Sequence, residues 1–200
     1  MEKMEARIGA CTRETGETHV DVTWNLDGTG TASVHTGVGF LDHMLNLVAY
    51  HGLFDLDVRV IGDLEVDAHH SVEDAGIGLG IALKNALGER RGITRMAHAF
   101  VPMDEAMALV AIDLSGRPFT VCDVPLAADM LGSLPSDMVP HFFQSLATEA
   151  RCNLHLRLLA GDNDHHKVEA VFKAFARALH AASRMDPARG YDVPSTKGVL

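Results

Sequence analysis

"HHSVEDAG", from His69 to Gly76, recurs as "HHKVEAVF", from His165 to Phe172. The recurrence decides how the whole chain is read. In each copy two adjacent histidines precede a glutamate, which stands four residues after the first and three after the second. On a helix, residues four apart share a face, so His69 and Glu73 project together, while His70 is turned away by about 100°. A single copy would fit the polar start of a solvated helix as well as a metal site. A second copy, with matched residues around it, does not follow from solvation.

The match extends well past the histidines. With His69 on His165, Val72 falls on Val168, Glu73 on Glu169, Ala82 on Ala178 and Leu83 on Leu179. Upstream, "DHMLNLVAYHG" (Asp42–Gly52) corresponds to "PHFFQSLATEA" (Pro140–Ala150), placing His43 on His141 after a two-residue slip in loop length.

Element patterning supports two halves with one plan. "HVDVTWNL" and "TASVHT" alternate like strands. "GFLDHMLNLVAYHG" reads as a helix closed by Gly52. "DLDVRVIGDLEV" is strand-like. The helix from His69 carries Val72, Ala75, Leu79, Ala82, Leu83 and Ala86 on one face. In the second half "HAFVPM", "MALVAIDL" and "PFTVCDV" read as strands, and "SDMVPHFFQSLATEA" as a helix with Ser136 as N-cap. "NLHLRLLA" reads as a strand, and the helix from His165 turns Val171, Phe175 and Leu179 inward. Each half is therefore strand-strand-strand-helix-strand-helix. The expected class is α+β: a tandem duplication giving two four-stranded sheets, antiparallel or mixed, with helices packed on one face. Residues 1–92 form the first half and 93–200 the second, with "GERRGITR" (Gly88–Arg95) as the junction. The halves are small enough to need a shared core.

Composition narrows the function. The net charge of −10 argues against a general nucleic-acid binder. The chain opens with "MEKMEARIG", which lacks the apolar run of a signal peptide, and no apolar stretch is long enough to span a bilayer. Cys11, Cys122 and Cys152 are widely spaced and form no CxxC pair, so a reducing, cytoplasmic setting is expected. The chain holds 12 histidines, and placement decides their meaning.

Taken together, the halves offer eight ligands: His43, His69, His70, Glu73, His141, His165, His166 and Glu169. Two ions with four protein ligands each would use all eight, with octahedral positions left open for substrate. His69 and His70 should serve different ions, and the ligands need not come from one subunit. Imidazole-rich sets suit zinc, iron or nickel. Weaker signals read as structure. "GIGLG" (Gly76–Gly80) lacks the spacing of a phosphate loop and lies inside a helix, where close packing explains it. Met103, Met107, Met130 and Met138 are filler, and His19 and His155 sit in strands. A terminal "STKGVL" is by default a frayed tail, and Arg117 in "DLSGRPF" a turn residue.

"GFLDHMLNLVAYHGLFDL", "DAHHSVEDAGIGLGIAL", "MDEA", "DLSGRPF", "HFFQSLA", "DNDHHKVEAVFKAFARAL" and "STKGVL" occur together and in order. In this the chain resembles imidazoleglycerol-phosphate dehydratase, from "TRETGET" to its last residue. The resemblance implies a hydro-lyase of histidine biosynthesis that converts imidazole glycerol phosphate to imidazole acetol phosphate. It implies two Mn²⁺ per active site, which corrects the preference drawn from ligand type, and the same eight ligands. It further implies substrate contacts at Glu17, His43 and His51, and a phosphate site at Arg95, Arg117, Ser195 and Lys197, so the tail becomes functional. It implies trimers that build a 24-subunit shell with metal sites between subunits.

The chemistry is coherent with this. The proton to be removed sits on a carbinol carbon and is not acidic. A metal-bound imidazolate beside it would act as an electron sink, giving a diazafulvene-like intermediate as hydroxide leaves. A carboxylate acid or base is still required: Glu17 first, Glu73 or Glu169 as alternatives, Asp104 more weakly. Two other readings stand beside it. One is a different dinuclear-metal lyase or hydrolase acting on a phosphorylated heterocycle. The other is a non-catalytic metal-binding cage, for which Arg95, Arg117 and Lys197 would have no use.

Overall fold

The computed structural model describes residues 6–200. Residues 1–5, which open the stretch used against a signal peptide, lie outside them. In chain order the elements are β1 (Ile8–Glu14), β2 (Thr18–Asn25), β3 (Ala32–His35), α1 (Gly39–Gly52), β4 (Asp55–Gly62) and α2 (His69–Leu87). Then follow β5 (Met96–Met103), β6 (Ala106–Asp113), β7 (Phe119–Asp123), β8 (Met130–Leu131), β9 (Leu134–Pro135), α3 (Met138–Ala150), β10 (Asn153–Ala160) and α4 (Asp164–Ser183).

The two large sheets share one topology. The first runs β1-β2-β4-β3 and the second β5-β6-β10-β7. In both, the edge strand before the first helix lies parallel to its neighbour, β3 to β4 and β7 to β10, and the other pairs are antiparallel. The duplicated α+β architecture expected from the sequence is thus observed. The β8–β9 hairpin has no counterpart among the described residues of the first half.

Helix packing crosses between the halves. α2 lies on β1 and β2, and α4 on β5 and β6, but α1 packs against α4, and α3 against α2. Each helix pair therefore joins the first helix of one half to the second helix of the other, and one continuous core results. The inward faces are those expected: Val72, Ala75, Leu79, Ala82, Leu83 and Ala86 on α2, and Val171, Phe175 and Leu179 on α4. At the α2–α3 crossing, a Cβ at Gly76 would lie 2.8 Å from the Phe142 carbonyl oxygen, and one at Gly80 2.5 Å from that of Leu146. "GIGLG" serves helix packing.

Three local expectations need correction. Helix α1 is not closed by Gly52, its last helical residue; Leu53 takes the left-handed conformation (φ 54°), and Phe54 N–H donates to the Ala49 carbonyl at 3.0 Å. Arg151 does the same after α3, with Cys152 N–H on the Ala147 carbonyl at 3.1 Å. Both halves place the left-handed position on a non-glycine residue, where side-chain preference gives no signal. Ser136 does not cap α3 with its side chain: the N-cap is Asp137, and Ser136 Oγ donates to the Ala128 and Asp129 carbonyls. Finally, the strand read through "DLDVRVIGDLEV" stops at Gly62, after which Asp63–Val66 forms a turn. No helix among the described residues is long and apolar enough to cross a membrane.

Candidate metal centre

Two clusters follow from the crossed helix packing. His43 of α1 meets His165 and Glu169 of α4; His141 of α3 meets His69 and Glu73 of α2. In each cluster the donor atoms lie within 4.8 Å of one another. His43 Nε2 and His165 Nε2 stand 3.3 and 3.1 Å from Glu169 Oε2. His69 Nε2 stands 3.6 Å from Glu73 Oε2, and His141 Nε2 3.4 Å from Glu73 Oε1. The paired rings are tilted alike, by 45° for His43–His165 and 43° for His69–His141. Six of the eight ligand positions read from the sequence are thus brought together in threes, each three drawing on both halves.

The donor set fits a cation. Four imidazole nitrogens converge on two carboxylates, and His141 Nε2 is buried with no hydrogen-bond partner among the described residues. A buried orphan acceptor is costly, and a metal would satisfy it. The clusters differ in one respect. Glu169 also holds Lys173 at 2.6 Å; burial pushes its carboxyl up, but Lys173 together with His43 and His165 brings it below the usual range.

His70 and His166 point elsewhere, as their position one residue on requires. His70 Nδ1 lies 3.0 Å from Asp63 Oδ2, and His166 Nδ1 lies 2.7 Å from Glu105 Oε2. A carboxylate at Nδ1 holds the proton there and leaves the Nε2 lone pair facing outward, the arrangement common behind metal-ligating imidazoles. Those hydrogen bonds raise both histidine pKa values. Glu105 is driven down to about 2 by His166 and by the Asn163 backbone amide. The helix starts are fixed in parallel fashion: Asp67 Oδ1 accepts from His69 N–H at 2.7 Å, and Asn163 Oδ1 from His165 N–H at 2.9 Å.

Glu17 sits exposed at the β1–β2 turn, with Oε2 3.8 Å from His70 Nε2. It touches neither three-residue cluster within this subunit. Asp104 lies 3.8 Å from His166 Nε2 on the corresponding turn of the second half. His51, in the last turn of α1, stacks edge-on against Tyr50. Burial, then Lys173 and Arg177, lowers its pKa.

The predicted phosphate residues gather at one end of the second sheet. Arg95 is gripped by Asp113 (2.7 and 3.1 Å) and donates to the Pro194 carbonyl at 2.8 Å, which ties the tail to β6. Leu114 N–H donates to the Arg95 carbonyl, and the turn carrying the exposed Arg117 follows directly. A Cβ on Gly116 would lie 2.6 Å from the Leu200 carboxyl carbon, so the chain end rests on that turn. Ser195 Oγ accepts from Lys197 N–H at 3.2 Å, and the Lys197 side chain is exposed. Sequence reasoning missed Asp63, Glu105 and Asp113. Aligning the two hairpins would have found Glu105, which occupies the position of Glu17; the other two carry no motif.

Known proteins share this sequence pattern and this fold. Residues 36–179 match the family described as imidazoleglycerol-phosphate dehydratase. The chain is 57% identical over 196 residues to the imidazoleglycerol-phosphate dehydratase of Chloroflexus aggregans, covering 98% of this chain and 96% of that one. It is 54% identical over 189 residues to that of Methanothermobacter thermautotrophicus, covering 94% and 95%. The crystal structure of IGPD from Pyrococcus furiosus superposes with a TM-score of 0.82 at 36% identity, covering 95% of this chain and all (100%) of that one. For the imidazoleglycerol-phosphate dehydratase of Staphylococcus aureus the TM-score is 0.81 at 34% identity, covering 90% and 99%.

Proposed function

The chain belongs to the imidazoleglycerol-phosphate dehydratase family, and on that premise we propose how this hydro-lyase of histidine biosynthesis dehydrates imidazole glycerol phosphate. The observation that carries the reading is the pair of His₂Glu clusters, His43–His165–Glu169 and His69–Glu73–His141, one of them with an orphaned buried nitrogen. Each would hold one Mn²⁺. The ions would supply charge to bind the substrate imidazole as its anion and draw electron density from the adjoining carbon.

The remaining roles belong to the chain. His70 and His166 are turned away from their own clusters, which supports their completing the ion sites of neighbouring subunits. That is the arrangement of a homo-oligomer, 24 subunits built from trimers. Residues 1–92 and 93–200 act as the two repeat units of one catalytic body. Arg95, Arg117, Ser195 and Lys197 would bind the phosphate, with Arg95 offering its two unused N–H groups. His51 and His43 flank the substrate. Glu17 lies near the Nε2 side of His70, where it would take or return the proton at the carbinol carbon. Glu73 and Glu169 are committed to their clusters and are the less suited carboxylates. A reducing cytoplasm suits the three free cysteines, of which Cys152 is buried with its thiol pushed to about 12.

The test is the keto product formed from imidazole glycerol phosphate, followed by absorbance after enolisation. Turnover should vanish on complete chelation and return with Mn²⁺. Full turnover by metal-free protein would overturn the metal reading. Wild-type turnover by Glu17→Gln at unchanged substrate affinity would move the acid–base role elsewhere.

A further inference from the structure

The two hairpin tips occupy the same repeat position but are held by different means. Arg13 pairs with Val20 across β1–β2, and Val101 with Ala108 across β5–β6, which makes Glu17 and Glu105 counterparts. Glu105 is fully engaged: its oxygens accept from His166 and from the backbone of Asp162 and Asn163. Among the described residues Glu17 accepts no hydrogen bond, and its side chain is 57% exposed. Its backbone, however, is anchored. Thr15 Oγ1 accepts from the amides of Glu17 (3.1 Å) and Thr18 (2.9 Å), and lies 3.2 Å from Thr18 Oγ1. Thr18 is 4% exposed, and its hydroxyl donates to Asp74 on α2. The same Asp74 oxygen accepts from Arg13. Asp74 is 7% exposed, a buried carboxylate with two donors from one hairpin.

The second half has none of this apparatus. The counterparts of Arg13, Thr15, Thr18 and Asp74 are Val101, Met103, Ala106 and Ala170, all apolar. A buried carboxylate carries a desolvation cost that apolar packing avoids, and the second repeat shows that the fold tolerates the apolar solution. The polar version persists only where the turn carries an unengaged glutamate.

We propose that Asp74 is the positioning residue for Glu17: through Thr18 and Thr15 it fixes the turn to the same helix that carries His69, His70 and Glu73. The carboxylate of Glu17 is thereby held at a set height above the metal-facing side of His70 without being neutralised by a partner. Asp74 does not touch substrate. It acts through geometry, and the inference rests on the reading of Glu17 as the acid–base group.

The test compares Asp74→Ala and Thr18→Ala, which install the second repeat's residues, alone and with Glu17→Gln, in the assembled metal-loaded enzyme. Asp74→Ala should lower kcat roughly tenfold, since small misplacements of a reacting group are costly. KM and bound metal per subunit should stay within twofold of wild type, and amide exchange at Glu17 should accelerate. On the Glu17→Gln background Asp74→Ala should cost nothing further, because the group it positions is gone. A loss repeated in full on that background, or one matched by loss of metal, overturns the proposal. If Asp74→Ala does not assemble, Thr18→Ala carries the same comparison. A Glu17→Gln enzyme with full turnover would remove the reading of Glu17, and this proposal with it, without reference to the Asp74 variants.

Discussion

His43 and Glu169 are 126 residues apart in the chain, yet His43 Nε2 stands 3.3 Å from Glu169 Oε2. The contact exists because α1 of the first half packs on α4 of the second. His141 and Glu73 repeat it in the opposite sense, from α3 to α2. The candidate ligands are therefore grouped across the halves. His43→Ala should behave like Glu169→Gln, and His141→Ala like Glu73→Gln. Each should lower tightly bound metal at its own cluster and spare the other. The His43→Ala/Glu169→Gln double variant should lose little more than either single one, since residues sharing one site are non-additive. Metal analysis of the purified variants checks this. Equal loss from both sites in every variant would contradict the grouping.

The α2–α3 crossing sets the second cluster. Gly80 lies against the Leu146 carbonyl oxygen, and its added Cβ would also come within 2.7 Å of Glu149 Cβ. One of these neighbours is backbone, so relief requires the helices to separate. Gly80→Ala should cost about 1–3 kcal/mol as overpacking. It should also pull His141 of α3 away from His69 and Glu73 of α2, so metal affinity falls at this cluster while the His43 cluster keeps its ion. Thermal unfolding and metal titration measure the two effects, and an unshifted midpoint would show that the helices slide without cost.

Arg95 links the sheet to the tail. Its guanidinium spends three donors on Asp113 and the Pro194 carbonyl, and its side chain is 15% exposed. Charged hydrogen bonds of this kind contribute about 1.5–3 kcal/mol each. Arg95→Ala should loosen residues 185–200 and weaken phosphate capture together, raising KM tenfold or more. Limited proteolysis separates the effects: the variant's tail should be cleaved faster than wild type. Asp113→Asn should show a smaller rise in KM, because the guanidinium remains but is less firmly aimed. A tail equally resistant in Arg95→Ala would leave Arg95 a phosphate contact only.

Much of this was legible in the sequence. The repeat accounted for the strands of the two large sheets and for the four helices, though not for the β8–β9 hairpin, and periodicity found the inward faces of α2 and α4. The six residues of the two clusters were among the eight candidates marked from His43, His69 and their matches. Which ligands meet was not legible, because alignment pairs His43 with His141, whereas packing pairs His43 with Glu169. That depends on how helices from two halves interlock, a three-dimensional fact with no local signal. The helix ends at Leu53 and Arg151 were missed for the opposite reason: the left-handed position is imposed by the downstream backbone bonds of Phe54 and Cys152 and not chosen by the residue. Asp74 stood beside a metal-ligand motif and had no marker of its own until its partners on β1 and β2 were in place.

His180 should make stability sensitive to mild acid. It lies on the last turn of α4, with Nε2 2.9 Å from Arg184 Nη1. Burial lowers its pKa from the ordinary 6.5, and Arg184, Arg177 and Arg7 add to this against one opposing backbone contact from Gly52. The unfolded chain then takes up the proton at higher pH than the folded one. Above pH 6.5 both forms are neutral and nothing is lost. As pH falls through 6.5 the unfolded state gains a proton first, and stability declines until the folded pKa is passed. His51 is shifted in the same direction, while His70 and His166 are raised and contribute oppositely. The wild-type curve alone is therefore mixed, and comparison with His180→Gln isolates one group. Gln can still accept from Arg184 but takes up no proton. Its thermal midpoint should gain on wild type as pH drops from 8 to about 5, with the gain setting in near 6.5. A constant difference across that range would show that His180 titrates alike in the folded and unfolded chains.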